Sequence, residues 1–269
     1  MEAINRRTAL TALGLAVPLA RARENASAFA LIGDRYHNSD YIRTALSKTL
    51  GRGLGLKIDY SDNVESLNAE HLKGRRLLII LRDGMLWPGG YSQRTPGSPE
   101  IVSEPPVPPM DPDPVYWITA AQGKAVRDFA TSGGGILFYH NVTYISPHND
   151  DFRDVLGAVT EQHPPLRPFK VKVVNKNHPI TQGVNDFVVT DEQHFVTYQK
   201  DPKYLLLQSV NENGLTHRNL GNTSAAGWAY DYGKGRVCYL APGHVITALW
   251  NPEYEKLQRN AVRWLLREI

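Results

Sequence analysis

Cysteine is almost absent from this chain of 269 residues. Cys238 is the single cysteine in the sequence, so no internal disulfide can form. It lies inside the apolar pattern Val237–Leu240, which indicates a buried side chain of a strand. A catalytic thiolate needs an electropositive and partly exposed setting, and this position does not offer one.

A strong charge of one sign is missing as well. The formal net charge is +3 at pH 7, and it falls to +1 without residues 1–22, which hold Arg6, Arg7 and Arg21 against Glu2. No stripe of Lys and Arg with interleaved aromatic residues occurs, so we expect no nucleic-acid partner. Apolar runs long enough for a transmembrane helix are also absent, and we expect no stable membrane span.

The sequence has no dinucleotide-binding fingerprint. The spacing Gly51-x-Gly53-x-Gly55 follows a predicted helix and precedes a predicted strand. This order is the reverse of the strand-to-helix turn on which a nicotinamide dinucleotide binds. We therefore expect no NAD.

The first residues predict a signal peptide over residues 1–22. A pair of arginines at 6–7 precedes an uncharged run over 8–20, and Ala20-Arg21-Ala22 supplies a small-x-small cleavage pattern. Paired arginines suit the twin-arginine route, and the general secretory route is the alternative. We expect an exported protein, periplasmic or extracellular, unless this segment is an uncleaved disordered start.

After the first residues, predicted strands and helices alternate as they do around a parallel sheet. Alternation within 169–173 adds an antiparallel β extension between about 159 and 210. The sequence thus predicts an α/β fold with a doubly wound, mostly parallel sheet in one domain over 28–268. The predicted elements are strands over 28–33, 56–60 and 77–81 and helices over 40–50, over 119–129 and from Asn251-Pro252 onward.

Residues 84–118 interrupt the alternation with nine prolines. Proline does not belong in a central strand or in the interior of a helix. A loop of this length is either functional or a tolerated solvated insertion. It follows the third predicted strand, so it either covers a site at that edge of the sheet or extends into solvent.

Three histidines follow predicted strands of the sheet. His140 ends the stretch Gly133–Tyr139, His37 follows the strand over 28–33, and His244 follows Arg236–Ala241. In open α/β sheets, ligands bind beyond the carboxyl ends of the strands. The three imidazoles are therefore expected to meet in one functional site.

Several motifs, taken together in this order, resemble ThuA-like proteins, which are named for trehalose utilisation. The resemblance implies a glutamine-amidotransferase-like, flavodoxin-like fold, and it covers nearly all of residues 28–266 outside the proline-rich insertion. The motifs are Gly33-Asp34-x-x-His37, Gly133-Gly134-Gly135 with His140, His178-Pro179-Ile180, Asp191-Glu192, and a closing segment with Trp228, Tyr232–Val237, Gly243-His244 and Asn260–Trp264.

The resemblance also implies a site and excludes one activity. In class I amidotransferases the nucleophilic cysteine follows the strand that corresponds to Ile136–Tyr139, and here His140 holds that place, so we expect no glutamine amidotransferase activity. The polar cluster that the family keeps would be His37, His140, Glu192 and His244. The chain departs from the family pattern at His194 (usually tyrosine), Asn141 (usually small and apolar) and Val245 (usually aspartate).

Three imidazoles and a carboxylate suit two kinds of chemistry. His37, His140 and His244 are candidate ligands of a divalent metal, zinc or a similar ion, with Glu192 beside them. Without a metal, the same groups would act as general acid and base. The remaining expectations are substrate contacts by Asp34, Asn141, His194 and Tyr139, orientation of a histidine by Asp34, and a turn held by His178. His163 is expected at the surface, with a position within reach of the site as the alternative.

The leading hypothesis is an exported enzyme that acts on a small carbohydrate. The resemblance favours an oxidised (keto) glycoside, processed by hydrolysis, elimination or isomerisation, with Glu192 or a histidine as base. The alternative is a non-catalytic carbohydrate-binding or scaffold module on an amidotransferase-like fold. Oligomeric state is not indicated by the sequence.

Overall fold

The computed structural model describes residues 27–88 and 114–269. The predicted signal peptide and the centre of the proline-rich insertion lie outside these residues, and both stay predictions. Within the described ranges, no helix has the length and apolar character that a membrane crossing requires.

The described part of the chain contains 13 strands. The described strands are β1 (Ser27–Ile32), β2 (Lys57–Ser61), β3 (Leu77–Leu81), β4 (Met85–Leu86), β5 (Val115–Tyr116), β6 (Gly135–Tyr139), β7 (Ala158–Gln162), β8 (Arg167–Val173), β9 (Phe187–Asp191), β10 (Phe195–Tyr198), β11 (Leu205–Val210), β12 (Thr223–Tyr232) and β13 (Gly235–Leu240).

Helices connect the strands. The described α-helices are α1 (Ser39–Leu46), α2 (Ala69–Leu72), α3 (Ala120–Thr131), α4 (Asp150–Leu156), α5 (Ile246–Leu249) and α6 (Pro252–Leu265). Short 3-10 turns lie at Val64–Ser66, His140–Tyr144, Ser146–His148, Pro179–Thr181 and Pro202–Tyr204.

Nine of the described strands form one sheet, in the order β2-β1-β3-β6-β13-β12-β11-β8-β9. The first five run parallel to one another. The last four continue the sheet in antiparallel pairs. This confirms the predicted α/β fold and its antiparallel extension. The strand that follows β1 is added on one side of it as β2, and the next is added on the other side as β3. Ligands of flavodoxin-like folds bind at this switch point between β1 and β3.

Burial explains why the parallel strands are so apolar. Every residue of β3 and β6 is buried, as expected for strands with covered faces. The antiparallel strand β8 instead alternates between buried Phe169, Val171 and Val173 and partly exposed lysines. One face of this half therefore meets solvent.

Helix boundaries follow the predicted caps with one difference. Thr119 and Gln122 form the predicted capping box of α3, and Asn251 caps α6. The helix expected over 40–50 is α-helical only as α1, and it continues as a π-helical segment over Ser47–Arg52. Leu46 and Leu50 are buried, so the apolar pattern marked the covered face but did not distinguish the two helix types.

The antiparallel half curls back over the parallel half. Asp191, the last residue of β9, accepts hydrogen bonds from the backbone N–H groups of Gly243 (2.8 Å) and His244 (3.1 Å) after β13. Three strands separate β9 from β13 in the sheet, which in a flat sheet would place them about 19 Å apart. The curl therefore brings Asp191 and the next residue, Glu192, to the carboxyl edge of the parallel strands.

Candidate functional site

His37, His140, Glu192 and His244 meet at the carboxyl edge of the parallel strands. One ligand atom from each lies within 4.8 Å of those of the other three. The histidines follow β1, β6 and β13, and Glu192 follows β9. The structure thus brings together the four residues that the sequence singles out.

His37 is fixed by Asp34. The two residues end the turn after β1, and His37 Nδ1 lies 2.8 Å from Asp34 Oδ1. Because an ionised carboxylate only accepts, Nδ1 carries the proton, and Nε2 presents a lone pair. The Asp34 side chain is buried, which alone would raise its pKa, but the His37 hydrogen bond and charge dominate and lower the pKa.

Asp34 also connects the ends of neighbouring strands. Its Oδ2 accepts from the backbone N–H of Asp83 after β3 (2.9 Å) and from Asn141 Nδ2 after β6 (2.8 Å). Asp34 is therefore a positioning residue for His37, as predicted from its place after the first strand. Asn141 acts through Asp34 and also lines the cavity described below.

His140 is held in an unusual backbone conformation. Its φ is 50°, in the left-handed region, and its side chain is fully buried. Nδ1 lies 2.9 Å from the carbonyl oxygen of Ala241, so it donates there. Gly243 allows this arrangement, since a Cβ at that position would lie 2.6 Å from His140 Cβ. Burial lowers the pKa of His140 and keeps the ring neutral.

The other ring nitrogen of His140, Nε2, lacks a hydrogen-bond partner. Nε2 is buried without a hydrogen-bond partner, and Glu192 Oε2 lies 3.4 Å away. With Nδ1 protonated, Nε2 offers a lone pair, so two acceptors face each other. A cation between them would satisfy both.

His244 links Glu192 to His37 through a single ring nitrogen. His244 Nδ1 lies 3.1 Å from Glu192 Oε2 and 3.0 Å from His37 Nε2. Burial alone would raise the pKa of Glu192, but the nearby imidazoles of His140, His194 and His244 lower it far below its usual range. Burial alone would lower the pKa of His244, but the Glu192 hydrogen bond and nearby carboxylates raise it.

This donor set fits a divalent first-row metal. Three imidazole nitrogens and one carboxylate oxygen are ligands that zinc and its neighbours accept. The second nitrogens of His37 and His140 are bonded to Asp34 and to a backbone carbonyl, which is the usual support of metal-binding histidines. The orphaned Nε2 of buried His140 is the observation that favours a metal over a purely structural cluster.

A cavity of about 360 Å³ opens beside the cluster. This volume lies within the range of small-molecule sites. Its lining combines aromatic rings, imidazoles and carboxylates from both halves of the sheet. The lining residues are Tyr36, His37, Asp83, Met85, Asn141, Tyr144, His163, Glu192 and His194.

Two further histidines belong to the site, and they lie at adjacent ends of the paired strands β7 and β10. His194, predicted as a substrate contact, lines the cavity, and its Nε2 lies 3.6 Å from Glu192 Oε2. His163 was expected at the surface, and this expectation is wrong. Its ring is half-buried and its Nδ1 lies 3.6 Å from Glu192 Oε1. β7 pairs with β10 in a separate two-stranded sheet, with Gln162 opposite Phe195, and this pairing brings His163 beside His194.

Asp83 is a site residue that the sequence reasoning missed. It is buried in the turn after β3 and lines the cavity. Burial and the charge of Asp34 raise the pKa of Asp83 to about 7. A carboxyl with such a pKa is suited to proton transfer near neutral pH. The strand-end argument that selected the histidines also applies to Asp83, which follows Leu77–Leu81 by two positions.

The expected substrate contact by Tyr139 is wrong. Its ring is fully buried, and its hydroxyl donates to Gln258 on α6. Side chains alternate along a strand, so the last residue of β6 points into the core. Cys238 is also fully buried, and burial raises the pKa of its thiol. His178 accepts from the N–H of Ile180 and holds a turn, as predicted.

Comparison with protein families gives one match over most of the chain. The model of the ThuA family, described as trehalose utilisation, matches residues 31–265. No curated protein is significantly similar to the chain.

Solved structures of similar fold include two proteins described as ThuA-like. One, from Bacteroides uniformis, is 20% identical, with 90% of this chain and 91% of that chain covered and a TM-score of 0.62. The other, from Parabacteroides merdae, is 12% identical, with 90% of each chain covered and a TM-score of 0.62. A glutamine amidotransferase from Thermotoga maritima is 12% identical over 90% of this chain and 98% of that chain, with a TM-score of 0.50. At these identities the likeness concerns the fold, and it confirms the resemblance seen in the sequence.

Proposed function

The chain belongs to the ThuA family, and from this premise we propose that it is an exported, metal-assisted enzyme that acts on a carbohydrate. The family's description, trehalose utilisation, supports a sugar as substrate. The observation that carries the proposal is the convergence of His37, His140, His244 and Glu192 around the orphaned Nε2 of His140.

The four residues would hold a divalent ion at the edge of the cavity. Such an ion, when bound, withdraws electrons from a carbonyl oxygen of the substrate. Asp34 keeps Nε2 of His37 unprotonated for this task, and the Ala241 carbonyl does the same for His140. The substrate carbonyl points to an oxidised (keto) glycoside, because a ketone makes the adjacent C–H acidic.

Asp83 is the best placed proton carrier in the described part of the cavity. Glu192 contacts several histidines and is engaged in the cluster, so it is a poor base. Asp83 lines the same cavity and has a pKa of about 7. We assign to its carboxylate the removal of the proton next to the ketone and the return of that proton. Elimination and isomerisation share this step, and hydrolysis would add water afterwards.

Glutamine hydrolysis does not fit these residues. His140 stands at the turn after β6, where class I amidotransferases carry their nucleophile. Cys238 lies inside β13, fully buried, with a thiol whose pKa is raised by burial. Neither residue provides an accessible thiolate.

The first test is the metal content of the protein purified without chelators and offered zinc, manganese or nickel. Plasma mass spectrometry should find bound metal in the wild type and a clear loss in a folded His140→Ala variant. His71→Ala, at an exposed histidine far from the cluster in sequence, is the matched control and should retain the metal. Absence of metal from the wild type would overturn the metal-assisted mechanism.

Turnover separates the enzyme from a binding module. The metal-loaded protein should convert keto-glycosides, and Asp83→Asn should lower kcat at least about 100-fold, the usual contribution of general acid–base catalysis. Saturable sugar binding without product, unaffected by His140→Ala, would favour the non-catalytic carbohydrate-binding module instead.

A further inference from the structure

Glu192 lies between two groups of histidines. Its Oε2 is near His140 and His244 of the first cluster, and it also lies 3.6 Å from Nε2 of His194. Oε1 lies 3.6 Å from Nδ1 of His163. One ring nitrogen each of His163 and His194 and one Glu192 oxygen lie within 4.8 Å of one another. The carboxylate thus stands between two sets of potential ligands.

His194 is the unexplained residue of the second group. It is 2% exposed, and neither Nδ1 nor Nε2 has a hydrogen-bond partner. A neutral imidazole has one donor and one acceptor, and a buried ring normally satisfies at least one of them. Its neighbours are other rings, with His140 at 4.2 Å and His163 stacked at 4.9 Å between centroids. Packing alone therefore gives this polar ring no partner for either nitrogen.

We propose that His163, Glu192 and His194 form a second divalent-cation position, so that the site holds two metal ions bridged by the Glu192 carboxylate. It rests on the proposed function, because Glu192 belongs to both ligand sets. Carboxylate-bridged pairs of metals about 3.5–4 Å apart are a common catalytic arrangement. Two imidazoles and one oxygen leave coordination positions for water or substrate.

The cavity gives this second position access to ligand. His163, Glu192 and His194 all line it, whereas His140 does not. A second ion here would therefore face a substrate directly. The chemical class that suits such a pair is a sugar with two neighbouring oxygens, such as a ketone beside a hydroxyl, one oxygen for each ion.

The experiment compares metal stoichiometry in the full chain and its variants. The wild type, dialysed against manganese or zinc, should bind two equivalents. His163→Ala should bind one, and because His163 is partly exposed this variant should fold. His194→Gln preserves much of the buried volume and should also bind one. His71→Ala is the control and should bind two.

Electron paramagnetic resonance of the manganese-loaded protein adds a readout that a structural role would not change. Two bridged ions should give an exchange-coupled spectrum in the wild type and in His71→Ala, and an isolated-ion spectrum in His163→Ala. One equivalent that persists in His163→Ala but is lost in His37→Ala would overturn the second position and leave the proposed function intact. One equivalent lost in His163→Ala but kept in His37→Ala would overturn both the bridged pair and the first metal site.

Discussion

The two halves of the sheet contribute to the site in different ways. The parallel half supplies His37, His140 and His244 from turns directly after buried strands. The antiparallel half supplies Glu192 and His194, which reach the site because that half curls back. In the parallel half, position follows from topology, whereas in the antiparallel half it depends on long-range hydrogen bonds. The site should therefore be most sensitive at the contacts that join the halves.

Removing the main contact between the halves should have the largest effect. Asp191 is fully buried and accepts from three backbone N–H groups, those of Glu192, Gly243 and His244. Asp191→Ala would leave these donors unpaired at about 1–3 kcal/mol each, so we expect a loss of about 4–6 kcal/mol in the free energy of unfolding. Urea denaturation measures it.

Asp186→Ala is the matched control for that variant. Asp186 precedes β9, is exposed, and accepts one hydrogen bond, from the N–H of Val173. Its loss should cost about 1 kcal/mol. Equal costs for the two variants would show that Asp191 does not join the halves in the way described.

The stability of the protein should depend on pH through Asp83, which follows β3 in the parallel half. The pKa of Asp83 is raised to about 7 in the folded protein, so the folded state binds its proton more tightly than the unfolded state. Stability should consequently fall as pH rises from about 4 to 7. Asp83→Asn should remove this fall and gain up to about 4 kcal/mol on the wild type between pH 4 and pH 8.

Denaturation of both proteins across that pH range measures the difference. Asp128→Asn, which replaces an exposed carboxylate on α3, is the matched control. Parallel curves for the wild type and Asp83→Asn would contradict the assigned environment of Asp83.

Loss of the contact that orients His37 should have a smaller effect, and we expect it only in the affinity for the proposed metal. Asp34→Asn replaces the carboxylate that fixes the His37 tautomer, and changes of this kind weaken metal binding by about 10–100-fold. Competition with a chelator measures the affinity. Asp40→Ala, six residues further along and largely exposed, should leave the affinity unchanged. An unaltered affinity in Asp34→Asn would mean that His37 is held by other contacts.

The smallest effect belongs to a cap remote from the cluster in sequence. Thr119→Ala removes the capping box at the start of α3 and should cost about 1 kcal/mol of stability. Metal content should stay at the wild-type level, since Thr119 contacts none of the cluster residues in the described structure. A drop in metal content would show that the parallel half does not hold its histidines independently of its helix ends.

The fold and the positions of the three histidines could be predicted from the sequence for the same physical reason. Parallel strands are buried on both faces, so β3 and β6 read as continuous apolar runs, and the residue after each run lies at one known edge. Glu192 was selected through the family resemblance, because no local pattern places the end of β9 beside β13.

The misses follow from the same division. His163 was misplaced because its position depends on the pairing of β7 with β10, a long-range contact that local periodicity does not encode. Tyr139 precedes His140 by one residue and was expected to share its site. Neighbouring side chains of a strand point to opposite faces, so Tyr139 lies in the core instead. Asp83 had a usable signal, because it lies two residues past a buried strand, but the strand-end rule was applied to His37, His140 and His244 and to Asp34 and not to this position.

The left-handed backbone of His140 bears on how this protein would change over evolutionary time. A non-glycine residue at φ 50° costs on the order of 1–3 kcal/mol, which glycine would largely recover. Most proteins have little stability to spare, so mutation and drift would favour glycine there in any lineage that no longer used the imidazole. A histidine at this turn therefore withholds stability that glycine would return, and a use of the imidazole has to outweigh that loss.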